Sequence, residues 1–296
     1  MNRTTVTDLF RRRALAAFRS APRAVACLAS LSVSAALAQV VVVAPAPAPV
    51  ADGLWRGSGG AAATLTSGNT DGVAASLSLD AVRATRRDRI TLGGSLNYGR
   101  SEVDGERETT ADRWNASARY DYNLTPRTFV YGRASVESDR VVELDRRDTV
   151  DAGLGWKLID LRDTSLSVFS GLGRSIDRYD REQRIDGRDD SRFARTTLTL
   201  AEESLHRLTP TVELRQRLDI APTISGDRTT ILRFSSSLAV ALNSTLSLTV
   251  TLADQYNSEP PAGVRRNDLT LFTGINVKFG PQPPAAPPPA QPQPQP

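Results

Sequence analysis

Few side chains of this chain could do covalent chemistry. There is one cysteine, Cys27, and one histidine, His206. His206 follows Ser204 by two positions, and serine with histidine is the pair from which a lipid hydrolase is built, imidazole serving as general base. No Asp or Asn is placed to orient the ring, so a solvated histidine is the plainer reading. A second set is Asp186, Asp189 and Asp190, which could hold a divalent cation or bridged phosphates. The Asp186-Gly187 step lacks the ligand spacing of a calcium loop, and Arg181, Arg184 and Arg188 oppose a cation, so residues 181–191 read as a solvated loop. The third and largest set can do electrostatics only: Asp80, Arg119, Asp121, Arg133, Glu137, Asp151, Lys157, Glu213, Arg215, Arg217, Asp219 and Arg233. What those charges do depends on the elements that hold them.

The clearest such element is residues 111–124, ADRWNASARYDYNL. Trp114, Ala116, Ala118, Tyr120, Tyr122 and Leu124 fall on one face; Arg113, Asn115, Ser117, Arg119, Asp121 and Asn123 fall on the other. A period of two is a strand. An apolar face that starts with Trp and ends with two Tyr suits a wall with lipid outside and interfacial aromatics at both edges. About twelve runs of this kind lie between Leu54 and Phe279. They are residues 54–66, 73–85, 89–102, 111–124, 128–139, 149–159, 165–179, 192–205, 211–220, 229–242, 245–256 and 267–279. The seventh and eighth are the least regular, because Ser170 and Arg174 interrupt one face and threonines blur the other.

Links after odd runs are longer and charged (SGNTDG, VDGERETT, DRVVELDRRD, REQRIDGRDDS, SGDR, SEPPAGVRRN); those after even runs are mostly short (RRDR, LTPR, LRDT, LTP, NS). Membrane barrels have that parity, with short periplasmic turns, and an even strand number returns both termini to the periplasm. The expected fold is all-β, a closed antiparallel transmembrane barrel of about twelve up-and-down strands. The fourth run then descends from outside to periplasm. Trp55, Tyr98, Trp114, Tyr120, Tyr122, Trp156 and Phe279 are expected in the aromatic belts.

The flanks divide the chain further. Residues 1–38 carry six arginines, an apolar run from Ala24 to Ala36 and an Ala36-Leu37-Ala38 cleavage site, the pattern of a secretory signal peptide. Residues 39–52 form an Ala/Pro periplasmic linker, 53–279 the outer-membrane barrel, and 280–296 a Pro-rich tail read as a solvated spacer. The chain's formal charge is +4. The expected signal holds six Arg and only Asp8, a net of +5, so the mature chain is at −1 and gives no basis for nucleic-acid binding. Cys27 leaves with the signal, which removes disulfides and thiol chemistry. No cofactor and no metal are implied.

The strings LWRGSGGAAATLTSGNTDGVAASLSLDA, RYDYNLTPRTFVYGRASVESD and DAGLGWKLID resemble a family of salt-induced outer-membrane proteins of Gram-negative bacteria, defined as a domain of unknown function. The likeness spans about residues 54–279. It implies an outer-membrane β-barrel and a link to salt or osmotic conditions, and it carries over no catalytic residue. Gly274, Val277 and Phe279 look like the terminal-strand signal read by the outer-membrane assembly machinery, a transient partner; Phe272 departs from its usual polar residue, and the tail is not part of the family pattern. Lipid and lipopolysaccharide are the standing partners of an expected monomer.

A barrel of about twelve strands lies between those filled by side chains and those with open channels. Arg119, Asp121, Arg133, Glu137, Asp151, Lys157, Arg215, Arg217, Asp219 and Arg233 are therefore candidate lumen residues under two readings. One is a plug of paired charges. The other is a narrow passive pore in which Arg215, Arg217 and Arg233 favour anions. A lipid-modifying barrel enzyme and a structural or adhesive barrel are the alternatives in other classes.

Overall fold

A computed structural model describes residues 50–66, 71–103, 106–261 and 264–281. The expected signal peptide, nearly all of the Ala/Pro linker and the tail beyond Pro281 lie outside the described residues.

Twelve antiparallel strands form one closed barrel: β1 (Trp55–Thr66), β2 (Asp71–Ala84), β3 (Asp88–Val103), β4 (Glu106–Asn123), β5 (Thr128–Asp139), β6 (Leu144–Asp160), β7 (Thr164–Ile185), β8 (Arg188–Arg207), β9 (Val212–Gly226), β10 (Thr230–Ala241), β11 (Leu246–Asn257) and β12 (Asn267–Phe279). Every strand pairs with its neighbours in sequence, and β1 pairs with β12 from Gly57↔Phe279 to Ala61↔Ile275. The expected transmembrane barrel is present, with its strand number. No open sheet edge is left, which a lipid environment requires of a spanning sheet.

Alternation sets the two faces. Outward positions are exposed apolar residues such as Leu77, Leu79, Leu96, Leu154, Leu172 and Leu271, while inward positions carry Ser, Thr, Asn, Arg, Asp and Glu. All seven expected belt aromatics are exposed on the outer face. Trp55, Tyr120, Tyr122, Trp156 and Phe279 lie towards the short-turn end, and Tyr98 and Trp114 towards the opposite end.

Four of the five short turns share one device, a Thr or Asn that caps the following strand; the β6–β7 turn is closed by the backbone bond from Leu161 N–H to the Thr164 carbonyl. Thr85, Thr125 and Thr209 hydroxyls each accept from the two backbone N–H groups that reopen the ladder, and Asn243 Oδ1 does the same. Short polar side chains that bond their own backbone two residues on make such turns.

At the other end the expected loops are largely strand. The 181–191 segment was expected as a loop, but β7 continues to Ile185 and β8 begins at Arg188. Asp186 and Gly187, at φ 50° and 76°, make a two-residue turn of the kind Asp-Gly prefers. Polar residues above a membrane lose nothing by staying paired, so the hairpin extends well past the apolar band. β6 likewise starts at Leu144 instead of Thr149, after a 3-10 turn at Arg140–Val142.

Candidate functional site in the lumen

The lumen is crossed by two layers of ion pairs. In the layer nearer the short turns, Arg119 on β4 donates to Asp121 on its own strand and to Glu203 on β8, both at 2.6 Å. Strands β4 and β8 are four apart, so this pair spans the interior. Arg133 on β5 repeats the crossing one strand on, reaching Asp151 at 2.7 Å and Asp219 on β9 at 2.9 Å. Arg89 joins Asp121 at 2.6 Å, and Arg217 joins Glu203 and Asp219. Four guanidinium groups thus meet four carboxylates, and the layer is neutral.

Aromatic rings floor this layer. Phe129, Tyr131, Phe169 and Ala201 form a buried cluster on β5, β7 and β8. The Arg119 guanidinium lies 4.3 Å from the Phe169 ring centre and 5.2 Å from that of Tyr131, close enough for cation–π attraction. Gly155 is required here, since a β-carbon at that position would overlap the Phe129 ring.

The second layer lies nearer the long hairpins. Asp177 receives Arg147 at 2.7 Å and Arg195 at 2.9 Å; Glu137 receives Arg147 at 2.6 Å and, from β10, Arg233 at 3.1 Å. Arg113 pairs with Asp139. Above it Leu144, Tyr179, Ile185 and Phe193 make a small apolar cluster at the mouth.

The facing wall, built from β1, β2, β10, β11 and β12, is different. Ser76, Ser78, Ser237, Thr249, Thr251 and Asn276 point inward, with Gly60 and Gly274 among them. They bond one another, Asn276 to Thr249 at 2.5 Å and Ser237 to Thr251 at 2.8 Å. A cavity of about 30 Å³ lies along this wall. Asp80, 2% exposed, sits beside it, and its Oδ2 has no hydrogen-bond partner among the described residues.

A family model for proteins of unknown function, DUF481, matches residues 59–279. The chain belongs to that family. An uncharacterized protein of Escherichia coli K12, YdiY, is 27% identical over 187 residues, 61% of this chain and 69% of its own length. Among solved structures, an outer membrane channel from Pseudomonas putida F1 aligns at TM-score 0.45 and 13% identity, over 77% of this chain and 96% of its own. The NanC porin aligns at 0.42 and 8%, over 75% and 97%.

All ten expected lumen residues of this DUF481 barrel lie on the inner face. Eight are in the two layers just described. Arg215 is bound at 2.5 Å by Glu213 on its own strand, and Lys157 has no ion-pair partner among the described residues. Sequence reasoning passed over Arg89, Glu203, Arg147, Asp177 and Arg195, and it passed over the inward aromatics. Arg89 could have been found by carrying the third run's parity one step back from Thr91. Glu203, Asp177 and Arg195 lie at inward positions of the two irregular runs, and Arg147 lies before the start assigned to the sixth.

Ser204 and His206 lie on the outer face at the end of β8, His206 in register with Leu214. Two residues on one strand face are about 7 Å apart, too far for a nucleophile to meet its base, and no described residue hydrogen-bonds the His206 ring. Asp189 and Asp190 lie 3.8 and 3.6 Å from Arg184 and Arg188, and Asp186 accepts from the Arg228 N–H. Those carboxylates are occupied by neighbours of this family member rather than gathered round a point.

Proposed function

We propose that the protein is a narrow passive outer-membrane pore, with termini and short turns on the periplasmic side, whose resting lumen is held nearly shut by ion pairs. The observation that supports this most is the pair of bonds across the interior, Arg119 to Glu203 and Arg133 to Asp219. A barrel that needed only to be a wall could fill its lumen with apolar side chains at lower desolvation cost. Here the filling is charged on one side, and hydroxyl-lined and partly open on the other. Because each layer pairs its arginines with carboxylates, Arg215, Arg217 and Arg233 offer little free positive charge, and weak ion selectivity follows. An envelope role under salt or osmotic stress fits a lumen whose closure depends on ionic contacts.

Planar-bilayer recording of the full chain tests this. Small conductance steps are expected from the wild type, with larger steps from an Arg119→Ala, Arg133→Ala variant that lacks both crossings. Silence from both proteins at every voltage would sink the pore reading and leave a structural barrel. Strong anion selectivity in the wild type would contradict the pairing of these arginines with carboxylates.

A further inference from the structure

One sector of the outer wall combines a cationic rim with an apolar groove. The β2–β3 and β4–β5 turns are adjacent on the short-turn rim and are stapled together by Asn123, whose backbone N–H donates to the Arg87 carbonyl at 2.8 Å and whose side chain donates to the Arg86 carbonyl at 3.1 Å. Arg86, Arg87 and Arg127 are thereby gathered at one place, all exposed, with no carboxylate partner among the described residues. Asp88, the acid within this patch, is engaged by the Thr85 hydroxyl at 2.5 Å and faces the Tyr120 hydroxyl at 3.4 Å. The other short turns differ. Arg162 is flanked by Asp160 and Asp163, Arg207 lies 3.5 Å from Glu213, and the β10–β11 turn carries no charge.

Just inside this rim, on the lipid-facing side of the same strands, lies a groove of about 430 Å³ lined by Ile90, Ala118, Tyr120, Gly132 and Ala134, with the inward-facing Arg119, Arg133 and Asp151 also contributing to its lining. Ile90, Tyr120 and Gly132 are in register across β3, β4 and β5, two, three and four residues from their strand ends, or roughly 7 to 13 Å. A β-carbon on Gly132 would meet no atom within 4 Å, so the dent is open on its outer side.

We infer that this sector binds one anionic glycerophospholipid, its phosphate at Arg86, Arg87 and Arg127 and an acyl chain in the groove over Ala118, Gly132 and Ala134. Guanidinium groups match phosphate oxygens in charge and geometry. The spacing puts them at headgroup depth and the groove at chain depth. The choice of a glycerophospholipid over a lipopolysaccharide rests on the orientation proposed above, which turns this rim to the periplasmic leaflet.

Lipid retention by the detergent-purified full chain, counted by native mass spectrometry, tests it. The protein is offered phosphatidylglycerol, phosphatidylethanolamine and lipid A in equal amounts. Wild type should hold one phosphatidylglycerol in preference to phosphatidylethanolamine. Replacing Arg86, Arg87 and Arg127 together by Gln should cut that preference on the order of a hundredfold, about fivefold for each cation. Gly132→Leu, which fills the groove and alters no charge, should weaken the same adduct independently. Heat-modifiable gel mobility verifies that each variant is folded. Equal retention of the two phospholipids by wild type, or an unchanged preference in the triple variant, overturns the site. Preferential retention of lipid A overturns the glycerophospholipid assignment and the orientation with it. Neither readout involves conductance, so failure of the pore reading leaves this result separate.

Discussion

Asp52 shows what a single side chain does at the point where the barrel is closed. Its carboxylate takes a fork from Arg56, at 2.8 and 2.5 Å, and accepts the Leu54 N–H at 3.0 Å; the Arg56 Nε donates to the Pro281 carbonyl at 2.8 Å. One guanidinium therefore ties the chain entering β1 to the chain leaving β12. The hydrogen bond from Arg56, aided by the Leu54 N–H, holds the Asp52 carboxyl well below the usual carboxylate range. A folded-state pKa below the unfolded value of about 3.9 means that the contribution is present above that value and is lost as pH falls towards the folded pKa. Wild type should thus lose part of its resistance to heat as pH drops from 5 to about 2, read from the temperature at which the folded band disappears on a gel. Asp52→Asn should lower that temperature at neutral pH and change it little at low pH. A constant difference at all pH values would show that the carboxylate's charge is not what holds the tie. The effect is small, because Asp52 is exposed to water.

Among the elements, the seam between β1 and β12 is the weakest join. It is registered only from Gly57 to Ala61, whereas β1 and β2 pair from Trp55 to Thr66. Phe279 covers Gly57 on the outer wall, and a β-carbon at residue 57 would overlap that ring. Gly57→Val should therefore push Phe279 off the seam and destabilise the barrel by about 1–3 kcal/mol, the usual range for forced overpacking. Phe279→Leu in the same chain should recover part of the loss, and unfolding in urea measures both. Strand number and face assignment were legible in the sequence because each wall strand has lipid on one side, so a slip by one residue would put Arg119 in lipid. The ends were less legible. β7 and β8 run on past the membrane, where Arg178, Glu182 and Arg192 can lie on either face at no cost, and alternation ceases to carry information. The inner site was half legible for a related reason. Parity shows that Arg119 and Asp121 face inward, but no local pattern says that Glu203, on a strand four positions round the barrel, completes the bond.

For the molecule as a whole, the pore proposed above would have a closure that depends on ionic strength. The layer nearer the short turns is neutral, the second sets four arginines against three carboxylates, and the crossing contacts of 2.6–3.1 Å are only partly buried: Arg133 is 21% exposed, Glu203 26% and Arg233 43%. Exposed ion pairs are screened, with a Debye length of about 10 Å at 0.1 M salt and about 3 Å at 1 M. The Arg233 to Glu137 contact, with the most exposed arginine, should loosen first, followed by Arg133 to Asp219, whose arginine is three times as exposed as Arg119. The Arg119 contact, against aromatic rings and with its side chain 7% exposed, should loosen last. Conductance divided by bulk conductivity should accordingly rise between 0.1 and 1 M salt, where a fixed water-filled hole would hold it constant or let it fall. Replacing Arg133 and Arg233 by Met, which removes the screened contacts, should flatten that rise and leave the residual gate at Arg119. A salt dependence unaltered by those two substitutions would place the gate elsewhere, in the hairpins that carry Leu144, Tyr179, Ile185 and Phe193 over the mouth.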